Sequence, residues 1–323
     1  MAHLVQTMAY TGQTPWHSLG NALPPKQPID VWAKEAGMDW QICSSPVRYM
    51  TEQAGSLGSI MSFDEQKVLY RSDTKAALSV VSDRYQVVQP REVLEFYRDL
   101  TEVSGFELET AGVLKAGKKF WALAKTGKET SLKGKDVVGG YLLLATSCDG
   151  TLATTATLTS IRVVCNNTLT VALNGAASAV KVPHNTAFDG QAVKKQLGVA
   201  VSHWDGFMYR MKTLSERKVK SHESMNYFLN VLCHSDQQPS ANKSGLVNER
   251  ALKRVQALYD GAGKGADMAS ASGTAWGLLN AVTEYVDHER RARSQEYRLD
   301  SAWFGQGAAL KQRALDQAMQ LVA

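Results

Sequence analysis

Tyr141–Thr159 reads Y-L-L-L-A-T-S-C-D-G-T-L-A-T-T-A-T-L-T. A leucine-rich run and a threonine-rich run flank Asp149-Gly150, a pair that supplies the positive φ of a tight reversal, so the stretch predicts two adjacent strands. Upstream, Phe120-Trp121-Ala122-Leu123-Ala124 continues the strand pattern, with Gly117 at the preceding turn. Downstream, Ile161 to Val171 carries the next strand. Phe106 to Val171 therefore predicts a sheet of about four strands. From Gly190 to about Leu232 the period changes to that of one long helix.

Outside this core the signals are simpler. Pro15, Pro24, Pro25, Pro28 and Pro46 make residues 1–60 loop-rich and confine helix to Ile29–Ala36. Met61 to Val88 reads as strand at both ends, with a short helix near Asp73–Val80. Pro90 opens a helix whose Val93, Leu94, Tyr97 and Leu100 form one stripe. His234–Val247 has the composition of a linker. Helices are expected over Asn248–Tyr259, Ala275–Arg293 and Ala308–Val322, with a glycine- and serine-rich loop, Gly261–Gly273, between the first two. The expectation is an α+β protein: an antiparallel β-hairpin sheet packed by a long basic amphipathic helix, with a helical C-terminal region. Its divisions would be residues 1–60, a core over 61–233, and 248–323.

Charge is uneven along the chain. Val113–Lys135 holds Lys115, Lys118, Lys119, Lys125, Lys128, Lys133 and Lys135 against Glu129. Gln191–His222 holds Lys194, Lys195, Arg210, Lys212, Arg217, Lys218 and Lys220 against Asp205 and Glu216. These segments carry 14 of the 36 basic residues and 3 of the 31 acids, so the net charge of +5 understates a local excess. On a helical wheel Val193, Leu197, Val201, Trp204, Phe207, Met208, Met211 and Leu214 share one arc. Lys194, Lys195, Arg210, Lys212, Arg217 and Lys220 share the other, with Tyr209 among them; Lys218 falls off the arc. A single-signed stripe beside a lysine-rich hairpin suits a phosphate backbone, and aromatic rings such as Tyr209 and Trp121 would stack on unpaired bases. Trp121 shares its strand face with Lys119 and Lys125, but also with Leu123, which fits a core role equally. The candidate binding residues are these, Lys115, Lys118 and Arg162.

Enzyme and metal chemistry find little footing. Gly261-Ala-Gly-Lys-Gly lacks the spacing and the Ser/Thr of a phosphate-binding loop and reads as a flexible connection. Cys43, Cys148, Cys165 and Cys233 show no zinc spacing and read as reduced thiols, and no cofactor is expected. Cys165 with His184 could be drawn as nucleophile and base on no stronger ground than any such pair. Glu284 and His288 are i,i+4 neighbours able to share a metal, but Arg290, Arg291 and Arg293 follow at once, so an ion-paired surface is expected. No secretory leader and no bilayer-spanning run is read, which predicts a cytoplasmic protein of a bacterial host cell without a membrane partner.

Several segments resemble a known family: Pro15-Trp16-His17-Ser18-Leu19-Gly20, Asp83-Arg84-Tyr85-Gln86-Val87-Val88, Asp149-Gly150 with Ile161-Arg162-Val163-Val164-Cys165-Asn166-Asn167-Thr168-Leu169, and Gly273–Gly277 through Thr283–His288. Together they resemble the phage/plasmid-like proteins, a domain of unknown function carried by mobile elements. In layout alone, a hairpin sheet followed by a basic helix is similar to single-strand annealing proteins such as the Redβ, RecT and Erf families. That likeness implies sequence-tolerant binding of single-stranded DNA, strand annealing in recombination, and a homo-oligomeric ring or filament. An apolar stripe of Trp276, Leu279, Val282 and Val286, followed by Trp303-Phe304, offers a joint for such assembly. The alternatives are an enzyme acting on nucleic acid or nucleotide through Arg162–Asn167 and Glu284–His288, or a protein that binds a host factor.

Overall fold

The computed structural model describes residues 7–12, 20–52, 58–98, 100–101, 105–164, 167–170, 179–201, 204–233 and 248–323. The fold is α+β, with antiparallel sheets and a helical C-terminal region. Its contacts define two compact units interleaved along the chain. The first contains residues 1–126, 142–157 and 179–198; the second contains 127–141, 158–178 and 199–323.

In the first unit, strands β1 (Thr7–Thr11) and β2 (Asn21–Leu23) precede α1 (Ile29–Glu35), then β3 (Ile42–Met50), β4 (Ile60–Arg71), β5 (Ala77–Ser82), α2 (Pro90–Glu95) and β6 (Glu107–Leu114). β7 (Lys119–Leu132), β8 (Asp136–Ser147) and β9 (Thr154–Arg162) each give one end to this unit; β11 (Ala179–Val182) pairs with β9. The main sheet runs β2-β1-β6-β7-β8-β9, and β3-β4-β5 form a separate sheet. The N-terminal region is thus richer in strands than its prolines predict. Asp73–Val80 is a turn leading into β5, not a helix, because Val80 and Val81 pair with β4.

α2 begins as expected. Pro90 occupies its first turn, where a missing N–H costs nothing, and Gln89 and Glu92 form a capping box. Val93, Leu94 and Tyr97 are fully buried. The Tyr97 hydroxyl lies 2.9 Å from the Ala122 carbonyl and 3.0 Å from that of Leu142, tying the end of this helix to two strands.

In the second unit the other ends of β7, β8 and β9 are followed by β10 (Asn167–Thr170) in the order β7-β8-β9-β10. The segment read as one long helix holds α3 (Gly190–Val201), whose first nine residues belong to the first unit, α4 (Trp204–Glu216) and α5 (Ser221–Cys233); residues 202–203 lie outside the described residues. The break between α4 and α5 has a tertiary cause: Arg217–Lys220 is extended and bridges to Thr274, with Val219 N–H donating to the Gly273 carbonyl (3.0 Å) and Ala275 N–H to that of Arg217 (2.9 Å). α6 (Glu249–Ala257) is capped by the Asn248 side chain and ends in a π turn at Leu258–Ala262. α7 (Ala275–Glu284) is capped by the Thr274 hydroxyl (3.1 Å to Gly277 N) and runs into a π turn, Tyr285–Glu289. α8 (Gln295–Phe304), which the sequence did not signal, and α9 (Gln306–Gln320) complete the unit.

All ten residues of α7 are buried, against α4, α5, α6, α9 and β10. The stripe expected to join subunits, Trp276, Leu279, Val282 and Val286, is therefore interior to its own unit. Gly277 permits this packing: a Cβ there would lie 2.1 Å from the Ala271 carbonyl oxygen. The expected linker, His234–Val247, lies outside the described residues.

Candidate nucleic-acid interface

The lysine-rich segment divides between the units. In the first, Lys115 and Lys118 are half-buried, and Lys125 is exposed and paired with Glu109 at 3.1 Å. Lys119 and Trp121 are 4% and 2% exposed. Neither presents a side chain to a polymer, so both leave the candidate set; the β7 face that holds them is a core face, as Leu123 between Trp121 and Lys125 hinted. In the second unit Lys128, Lys133 and Lys135 are exposed around the β7–β8 reversal. Lys133 and Gly134 there have successive positive φ values of 45° and 84°, the signature of a type I′ hairpin turn.

The helical segment divides likewise. Lys194 and Lys195 belong to the first unit, where the Lys194 ammonium lies 5.3 Å from the Phe96 ring centroid and Lys195 is exposed. In the second unit the expected arcs hold despite the break after Glu216: Trp204, Phe207, Met208, Met211 and Leu214 are buried, while Tyr209 is 72% exposed and Lys212 is exposed. Arg210 is half-buried over Phe207, and burial pulls its guanidinium below the ordinary arginine value. Arg217 is engaged, donating to the Leu321 carbonyl (2.9 Å) and to Glu223 (2.6 Å). Lys220 is exposed.

The two basic segments meet on one loop of the second unit. Lys133 Nζ donates to the Ala269 carbonyl at 3.2 Å, and Lys218 Nζ donates to the Ser272 carbonyl at 3.1 Å. The acceptors are three residues apart on a chain curled by bonds from the Ala271 and Ser272 amides to Met268 O. Each ammonium has three donors, so one carbonyl leaves two for an anion. Lys264 is exposed on the same loop, as is Asp267. Lys218 was the wheel's exception, and its placement follows from the helix break at Arg217–Lys220, which periodicity did not reveal.

Gly261–Gly273, read as a flexible connection, is held from beneath by a buried polar network. Arg162 is 2% exposed and forms a two-pronged ion pair with Asp136 (2.7 and 2.8 Å). It also donates to the carbonyls of Lys264 (3.3 Å) and Gly265 (3.0 Å). Asp136 further accepts from Ser270 Oγ (2.6 Å) and Trp276 Nε1 (2.9 Å). Arg162 is thus an internal strut and not a polymer contact, the third correction to the candidate set. Asp136 is the hub that sequence reasoning missed; its one signal was an acid directly after a lysine-rich turn.

The motif segments converge on this interior. Both Glu284 carboxylate oxygens lie 3.1 Å from the Lys264 amide, and burial pushes this carboxyl above its ordinary value. Asp287 accepts from Lys311 (2.7 Å) and from the Thr168 amide (2.8 Å), and His288 Nε2 lies 3.1 Å from Asn167 Oδ1. The Glu284–His288 run is therefore largely internal, not the ion-paired surface expected; Glu289, the next residue, pairs with Arg254. The cleft lined by Arg162, Tyr259, Lys264 and Glu284 has room for about one water molecule. Among the described residues no group of three His, Cys, Asp or Glu could hold a metal ion.

In the first unit another motif closes on itself. Tyr85 stacks on His184 (4.4 Å between centroids), and its hydroxyl donates to the Ser147 carbonyl at 2.9 Å; burial pushes this phenol up to about 12. His184 faces the carbonyls of Gln86 and Leu152. Cys165 lies outside the described residues.

An α+β chain of two interleaved units, with Arg162, Glu284 and Asp287 of its motif segments interior, is the class the fold defines. A domain of unknown function, DUF932, matches residues 77–303, and the chain belongs to that family. No curated protein and no solved structure matches the chain. Among the described residues no helix is long and apolar enough to cross a membrane.

Proposed function

We propose that the chain binds single-stranded nucleic acid with little regard to sequence, through the basic surface of the second unit. The observation that carries this reading is the meeting of Lys133 and Lys218, from two separate basic segments, on the Ala269–Ser272 turn. Lys128, Lys135, Lys212 and Lys220 add exposed positive charge in the same unit, and Tyr209 offers a ring to an unpaired base. Phosphate contacts of this kind fix a backbone without reading bases. Strand annealing, with self-association of the protein, is the extension of this reading that the layout resemblance supports. Such a role would act on DNA in the cytoplasm of a bacterial host during mobile-element recombination.

The enzyme alternative has less support. Arg162 and Glu284 are turned into hydrogen bonds with each other's neighbours, and the cleft beside them is water-sized. Anisotropy of a labelled oligothymidylate tests the proposal, with the duplex of the same length as comparison. The single strand is expected to bind at least about tenfold more tightly, the discrimination that one stacked base supplies. Complementary strands should anneal without ATP. Failure to bind oligothymidylate at low salt would overturn the reading.

A further inference from the structure

The Ala269–Ser272 turn of the second unit is anchored through Met268, by its main chain and by its side chain. The Met268 carbonyl accepts from the Ala271 amide (2.9 Å) and the Ser272 amide (2.8 Å). Its thioether Sδ accepts from Arg162 Nη2 at 3.5 Å, and that guanidinium is the buried partner of Asp136. The sulfur also lies close to Gly265, where a Cβ would stand 3.0 Å from it. Met268 thus ties the turn that receives Lys133 and Lys218 to the interior strut.

A thioether is a weak acceptor, and its lone pairs are open to oxidation where solvent reaches them. The methionines of this chain differ in that respect. Met8, Met38, Met208 and Met211 are at most 2% exposed, which shields them in the folded state. Met50, Met61 and Met225, on β3, β4 and α5, are at least 40% exposed. Met268 is half-buried: within reach of a small oxidant, yet bonded to the group beneath it.

The oxidised side chain does not fit that bond. With hydrogen peroxide as oxidant, a sulfur lone pair takes one oxygen as the O–O bond breaks. The other oxygen leaves as water with the proton of the first, and the thioether gives two electrons to the peroxide. The sulfoxide oxygen has no room in line with Arg162. An N–H···O bond takes about 2.9 Å, and the 3.5 Å between Nη2 and Sδ leaves too little for a sulfur–oxygen bond as well. Nη2 already donates to Asp136 Oδ2 (2.8 Å) and to the Gly265 carbonyl (3.0 Å), which uses both its hydrogens. Oxidation therefore moves Met268 off the strut, and its carbonyl with it. We propose that Met268 is an oxidation site, and that its sulfoxide loosens the turn on which Lys133 and Lys218 rest. The consequence for binding rests on the reading of the preceding section; the modification and the loosening do not.

The test is made on the full chain without oligonucleotide. Peroxide-treated protein is divided between peptide mass spectrometry, which locates the sulfoxide, and amide hydrogen exchange. Met268 should oxidise more slowly than Met50, Met61 and Met225 but faster than the buried methionines. Exchange at the Ala271 and Ser272 amides should then quicken about tenfold, as losing one hydrogen bond of ordinary net strength allows. Methionine sulfoxide reductases should restore the untreated rates. In Met268→Leu, peroxide should oxidise the exposed methionines and leave exchange at both amides at that variant's own untreated rate. Each protein is its own reference, so a shift caused by leucine itself does not blur the result. Met268 oxidising no faster than the buried methionines, unchanged exchange once it carries the oxygen, or the same quickening in Met268→Leu would each overturn the proposal. Oligothymidylate affinity should fall on oxidation of the parent and hold in Met268→Leu. Unchanged affinity of a parent whose turn has loosened would count against the basic surface alone, so the two readings fail separately.

Discussion

Asp136 and Arg162 form a buried two-pronged ion pair, Nε to Oδ1 at 2.7 Å and Nη2 to Oδ2 at 2.8 Å, with side chains 1% and 2% exposed. Asp136 follows directly on the Lys133-Gly134-Lys135 turn, and Arg162 holds the loop on which Lys133 and Lys218 rest. The pair therefore links the hairpin reversal to the Gly261–Gly273 loop through the interior of one unit.

Breaking that pair should be costly. Asp136→Asn leaves a guanidinium buried without its counter-charge, which typically costs about 3–5 kcal/mol. Urea unfolding of Asp136→Asn and Arg162→Met should show a midpoint far below the parent's. A change under about 1 kcal/mol would mean that water reaches the pair, contrary to its burial.

The two arcs of α4 should respond in opposite ways. Met211 is fully buried, so Met211→Ala should cost about 2–5 kcal/mol through lost contacts and the cavity left behind. Lys212→Glu, one residue on but exposed, should leave the unfolding midpoint where it was. Thermal melts of both variants check the helix orientation; the reverse order of effects would require α4 to be turned round.

Glu284 gives a pH dependence of definite sign. Burial first, and the Glu289 charge after the Lys264 amide bond, leave its carboxyl with a folded value above the ordinary 4.5. The folded state then holds this proton more tightly than the unfolded chain does. Glu284 therefore weakens stability progressively as pH rises from about 4.5 through the raised folded value, and the loss is complete above that value. Glu284→Gln carries no such charge. The stability of Glu284→Gln minus that of the parent should grow from pH 4 toward pH 7 and then level off, measured by urea unfolding at each pH. A difference that shrinks over that range would contradict the sign.

Much of the fold was legible because period and turn chemistry are local. Pro90 and the Asp149-Gly150 pair announced a helix start and a strand reversal, and the apolar arc of α4 survived even where the helix did not. The breaks at Arg217–Lys220 and the strand at Ala77–Ser82 were not legible, since long-range partners create them: Thr274 in one case and β4 in the other. The same limit governed the site. Lys119 and Trp121 alternate on a strand in a way that fits either face, and burial chose the inner one. Arg162 read as one more cation because its partner, Asp136, stands 26 residues away. Lys218 was discarded by a wheel drawn through a helix that is not continuous.

If Lys133 and Lys218 act together on one phosphate backbone, the salt dependence of binding carries their signature. If the surface neutralises about six phosphates of a single strand, log K should fall against log salt with a slope of about −4.2. Lys133→Asp, a residue type that tolerates positive φ, combined with Lys218→Glu removes two of those contacts. The slope should then flatten by about 1.4, to roughly −2.8, with the fold intact by circular dichroism. A double variant with the parent's affinity and slope would mean that Lys133 and Lys218 do not meet a phosphate backbone.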